Sequence, residues 1–178
     1  VFTQVETIAA HGRLRDNLDA LTAAIYCCEL VDRFTVDRAE QRPVYELLLD
    51  LLAALDAGEP LTVVRYFELH LLAITGYEMR MDACAVCGGR LEAEDALLSG
   101  AAGGLVCPNC RGPGTTGRIV SVRAIKALRY ARGASIGEFA ALRVDDDLAH
   151  EVEMATADVI RTVLDRELNS RRYLELGS

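Results

Sequence analysis

Apolar residues recur every three or four positions along most of this chain, and that period lapses once, between residues 77 and 118. Ahead of the lapse, Leu14, Leu18, Leu21, Ile25, Cys28 and Val31 or Asp32 trace one face of a helix expected over residues 13–36. Pro43, whose fixed φ suits a first helical turn, opens a second helix. Its stripe is Val44, Leu47, Leu48, Leu51, Leu52 and Leu55, and Gly58 ends it. Pro60 starts a third, with Val63, Val64, Phe67, Leu71 and Ile74 pointing inward until Gly76.

After residue 118 the helical period resumes. Ser121 is placed to cap residues 122–132, with Gly133 as the stop. Ser135-Ile-Gly-Glu138 reads as a capping box for a short helix carrying Phe139 and Leu142. Asp145, Asp146 and Asp147 then supply carboxylates to the start of a long final helix. Its inward face is Leu148, Val152, Ala155, Val159 and Val163, widened by Ile160 and Leu164. At the other end, Val1, Thr3 and Val5 alternate with Phe2 and Gln4 in a strand-like pattern too short to stand alone. The expected fold is mainly α, a helical bundle-like domain over 13–76 and 119–178. Residues 77–118 are inserted into it, and residues 1–12 are a remnant of an upstream unit or a linker.

The chain has 178 residues, 51% of them hydrophobic, enough for one core and a small appended module. No apolar run approaches the roughly 20 residues of a membrane span, and no secretory signal opens the chain. With no initial Met it reads as a processed or shortened chain, soluble and cytoplasmic, with no membrane partner. Net charge is −8, a sign that repels phosphate backbones and argues against strong nucleic-acid binding by this chain alone.

The lapse in periodicity holds the clearest chemistry. Cys84-Ala-Val-Cys87 and Cys107-Pro-Asn-Cys110 stand 19 residues apart in a segment broken by glycines. Two residues between cysteines let one tight turn aim both sulfurs at one ion, and two such turns complete a tetrahedral Zn²⁺ shell, a zinc ribbon. Gly88 and Gly112 follow the second cysteine of each pair and permit a left-handed backbone. Four cysteines leave no open position for water, so the zinc is expected to be structural. The alternative is thiol redox chemistry, which C-x-x-C pairs also support, although no βαβ pattern surrounds them. The segment is itself net negative, with Arg80, Arg90, Arg111 and Arg118 against Glu78, Asp82, Glu92, Glu94 and Asp95. It has no electrostatic reason to seek phosphate.

Arg123, Lys126, Arg129 and Arg132 step by three along one helix and drift toward its apolar strip of Val122, Ile125 and Leu128. They are candidates to receive an acidic-hydrophobic peptide or a phosphate backbone, against the plainer reading of a solvated charged face. Arg166, Arg171 and Arg172 form a weaker cluster of the same kind. Cys27 and Cys28 suit core packing, His11, His70 and His150 are scattered, and Glu29 is either a buried paired acid or a water-facing one. No nucleotide-binding loop, HExxH or nucleophile elbow occurs, so no catalytic residue is assigned. An enzyme using Cys84 or Cys107 as nucleophile remains a third alternative.

Several stretches together resemble the bacterial RecO family of recombinational repair proteins. Residues 2–6, FTQVE, are similar to the junction after that family's N-terminal OB-fold, and residues 23–32, AAIYCCELVD, with 45–55, to its first helices. Residues 66–89, YFELHLLAITGYEMRMDACAVCGG, carry the most specific likeness, a helix running straight into the first cysteine turn. Residues 164–174, LDRELNSRRYL, resemble the final helix. The resemblance implies a non-enzymatic mediator that anneals strands and, with RecR, loads RecA onto DNA coated by single-strand-binding protein. DNA contact would fall chiefly to an OB-fold missing here. This chain would then supply partner docking, with the acidic C-terminal tail of single-strand-binding protein as one occupant. A zinc-stapled scaffold or regulatory module of another nucleic-acid machine is the competing reading.

Overall fold

A computed structural model describes residue 7 and residues 9–35, 41–60 and 62–175, with side chains to residue 165. The strand-like pattern at residues 1–5 and the side chains of Arg166, Arg171 and Arg172 lie outside the described residues. Among the described residues, seven α-helices and a three-stranded sheet follow in the order α1 (Gly12–Asp16), α2 (Leu18–Phe34), α3 (Arg42–Ala57), α4 (Val63–Ile74), β1 (Ala96–Ser99), β2 (Gly104–Val106), β3 (Arg118–Val120), α5 (Val122–Gly133), α6 (Ile136–Ala140) and α7 (Asp146–Glu175). No helix among the described residues is long and apolar enough to cross a membrane.

The helix expected over 13–36 is two helices. Asn17 takes an extended conformation, and its side-chain oxygen accepts from the N–H groups of Asp19, at 3.1 Å, and Ala20, at 3.2 Å. That satisfies two of the N–H groups a helix start leaves without partners, so a new helix begins there. The buried face also differs. Ala20, Ala24, Cys27, Leu30 and Phe34 turn inward, while Leu18 is 76% and Ile25 53% exposed. Leu18, Ile25 and Cys28 offer a second apolar stripe on this helix, so period alone cannot select the face. The small side chains at 20, 24 and 27 let neighbouring helices approach.

α3 and α4 follow their patterns more closely. Val44, Leu47, Leu51 and Leu55 are buried, and Gly58 ends α3 with a left-handed φ of 89°. α4 buries Val63, Val64, Phe67, Glu68, Leu69, Leu71 and Leu72, because it is the central helix, touching α2, α3, α5, α6 and α7. Ile74, expected inward, is 40% exposed at its end. Ser121 caps α5 by accepting from Ala124 N–H, and the capping box of Ser135 and Glu138 is complete. On α7, Leu148, Val152, Ala155, Val159, Ile160 and Val163 are buried.

In the sheet, β1 lies between β2 and β3 and is antiparallel to both, with Leu98 opposite Leu105 and Leu97 opposite Ile119. The pleat divides its side chains. Ala96 and Leu98 join the helical core, with Met79, Met81 and Leu105. Leu97 turns the other way and packs with Val106 and Cys84. Residues 77–118 thus share one core with the helices, and β3 runs across the boundary at residue 118.

Candidate metal centre

The four cysteines of the two pairs converge. The Sγ atoms of Cys84, Cys87, Cys107 and Cys110 all lie within 4.8 Å of one another, and this group could hold a metal ion. The sulfurs of Cys87 and Cys107 are 4.0 Å apart. A tetrahedral zinc with Zn–S near 2.3 Å separates its sulfurs by about 3.8 Å, so the donor set fits in number, chemistry and spacing.

Each pair is positioned by backbone bonds. Ala85 N–H donates to Leu105 O at 2.7 Å, fastening the first turn to β2. Gly88 N–H donates to Cys84 O, and Cys84 N–H to Gly89 O, both at 2.9 Å. Gly88 adopts a φ of 71° to close this turn, the role its position suggests. The second pair is built otherwise. Pro108–Cys110 forms a 3-10 turn, and the left-handed glycine after it is Gly114, with φ 91°, rather than Gly112. Gly89 N–H approaches Cys87 Sγ and Cys107 N–H approaches Cys84 Sγ, each at 3.4 Å.

The four thiols differ in their readiness to ionise. Burial works against ionising Cys84, but backbone N–H groups at Cys87, Cys107 and Val86 outweigh it and draw the thiol down to about 6. Hydrogen bonds with Cys107 and Cys87 push Cys110 up to about 12. Four clustered sulfurs cannot all carry charge unless a cation compensates them. Cys84 is wholly buried, whereas Cys87 is exposed.

The basic residues of α5 have separate tasks. Arg123 pairs with Asp145 at 2.6 Å, Arg132 with Asp82 at 2.6 Å, and Arg129 donates twice to Met81 O. Lys126 is exposed. Arg118 pairs with Asp158 at 2.7 Å. Cys27 is buried and Cys28 exposed, and Glu29 faces water. His70 bonds Ala131 O through Nε2 at 3.0 Å, and His150 is exposed.

The buried acid is one that periodicity did not single out. Glu68 is fully buried, accepting from Tyr26 Oη at 2.7 Å and facing Arg65 at 3.2 Å. Its second oxygen has no hydrogen-bond partner. The signal was there, a charged residue on the apolar arc between Val64 and Leu71, close to an Arg one turn earlier.

Residues 15–172 match the family described as recombination protein O, C terminal. The chain is 34% identical over 174 residues to the DNA repair protein RecO of Dehalococcoides mccartyi strain CBDB1, covering 97% of this chain and 68% of that protein. It is 33% identical over 176 residues to RecO of Roseiflexus sp. strain RS-1, covering 98% of this chain and 62% of that one. With RecO of Geobacter sulfurreducens the identity is 33% over 171 residues, or 96% and 68% of the two chains. A helical fold, a cysteine cluster on a small sheet and a family match across nearly the whole length converge: the chain belongs to the RecO family and corresponds to its C-terminal part.

Proposed function

We propose that this chain is a non-catalytic part of recombinational DNA repair, acting with RecR and single-strand-binding protein in strand annealing and RecA loading. The family match over residues 15–172 carries the reading, and the relatives' shared name, DNA repair protein RecO, supports it. A net charge of −8 favours partner docking over strand contact for this chain. DNA is then held chiefly by an OB-fold outside it.

Zn²⁺ is the ion assigned to Cys84, Cys87, Cys107 and Cys110. Four thiolates close a tetrahedral shell, so the ion's contribution is a cross-link and charge neutralisation rather than activation of water. The acidic tail of single-strand-binding protein is assigned to the outer face of α5. Lys126 and Arg123 are the exposed cations there, and Arg129 and Arg132 border them.

The test is a titration of a labelled tail peptide, and separately of RecR, with this chain. Both bind in this reading. Arg123→Glu with Lys126→Glu weakens the tail peptide about tenfold and flattens its salt dependence. Failure to bind either partner would favour a zinc-stapled scaffold or regulatory module of another nucleic-acid machine.

A further inference from the structure

An open groove of about 610 Å³ runs between α2, α4 and α7, within the size range of binding pockets. Its inner wall is apolar and mostly small: Val64 is buried, and Ala23, Ala149, Met154 and Ala157 are half-buried. Among the lining residues, those that stand exposed are Asp19, Thr22 and Glu153, two carboxylates and a hydroxyl. The base in the lining, Arg65, is 13% exposed and already answered by carboxylates, Glu68 at 3.2 Å and Glu153 at 3.7 Å. An entering group therefore meets apolar walls under an acidic rim.

We propose that this groove is a docking surface for a basic, apolar segment of a partner protein. Leucine-sized side chains of the segment seat in the space left by Ala23, Ala149 and Ala157, and its lysine or arginine pairs with Asp19 or Glu153. Charge complementarity selects this occupant, because an acidic segment or a phosphate would set like charges side by side at the rim. The surface is built from α2, α4 and α7, and is distinct from the basic face of α5.

The test titrates the full 178-residue chain into two fluorescein-labelled peptides of matched leucine pattern. One carries lysines and the other glutamates at the same positions. The lysine peptide binds at least about tenfold tighter and weakens with salt. The methyl signals of Ala23, Ala149 and Met154 shift on binding. Asp19→Lys with Glu153→Lys reverses the preference, and Ala157→Trp, which fills the groove without altering charge, removes binding while circular dichroism stays unchanged. If Ala157→Trp disturbs folding, the charge reversal decides alone. Equal or tighter binding of the glutamate peptide overturns the proposal, as does binding of neither peptide, or signal shifts confined to another face. Self-association that Ala157→Trp abolishes overturns it too, since a second copy would then be the occupant.

Discussion

Arg129 of α5 reaches back to Met81 and donates to its carbonyl oxygen through Nε, at 2.9 Å, and Nη2, at 2.6 Å. One turn along the same helix, Arg132 meets Asp82 at 2.6 Å. Together they clasp the segment entering the first cysteine turn. Two of the four cations that resemble a docking stripe in sequence thus hold the cysteine-bearing segment against the helices.

Replacing Arg129 with Ala leaves the carbonyl of the buried Met81 without its charged donor. A hydrogen bond to a charged group is worth about 1.5–3 kcal/mol, and Arg129→Ala should cost about that much. Arg129→Lys, which keeps a single cationic donor, should cost less. Urea titration would register this as a lower midpoint at unchanged slope, and equal midpoints for Ala and wild type would discount the clasp.

Metal removal should be visible as lost stability. A ligand present at about 100 times its Kd stabilises the native state by about 2.7 kcal/mol. For a chain of this size that corresponds to roughly 5–10 °C in Tm. Chelation, or Cys107→Ser, should lower Tm by about that amount together with loss of stoichiometric zinc in elemental analysis. A protein that binds no zinc and melts unchanged after chelation would dismiss the assignment.

Glu68 should give stability a distinct pH dependence. Burial raises its carboxyl above the ordinary 4.5, with Arg65, Tyr26 and Thr156 opposing. The folded chain thus holds this proton more tightly than the unfolded one. Stability from this group is full below the unfolded value and declines as pH rises from there through the folded value. Glu68→Gln cannot ionise, so the advantage of wild type over this variant should shrink across that window. Glu68→Ala opens a cavity at a fully buried position, with Glu153 still facing Arg65 at 3.7 Å, and should cost about 2–5 kcal/mol. Denaturant titrations at several pH values read both effects.

Gly104 and Gly103 should respond differently to a methyl group. A Cβ on Gly104 would collide with the backbone of Arg80, whereas one on Gly103 meets open space at a φ of 74°. Gly103→Ala should cost about 1–2 kcal/mol for its left-handed conformation alone. Gly104→Ala should cost more, since Arg80 N–H and O are tied to Gly103 and Leu105. Thermal melts that rank the two in the opposite order would refute the close approach.

How much was legible beforehand depended on how local each signal was. Caps and stops such as Ser121, the Ser135–Glu138 box and Gly58 are fixed by a few neighbouring residues, and the structure contains all three. The cysteine spacing likewise brought four sulfurs together, because each turn is local and the number of turns is two. The face of α2 was not legible, since Leu18, Ile25 and Cys28 make as good a stripe as Ala24, Cys27 and Leu30 until partners are known. Neither were the partners of Arg123, Arg129 and Arg132, which lie 22 to 50 residues away. Asn17 could have been read, as a capping residue beside Asp16 and ahead of Leu18-Asp19.

One face of β1 rests in the helical core while the other backs the cysteine cluster. The excursion is therefore held from beneath by the helices, independently of whatever the sulfurs at its tip carry. A descendant that mislaid all four sulfurs would forfeit the tip yet keep the mooring beneath it. With the tip emptied, the strands would stay seated on the helices while the two cysteine turns slacken.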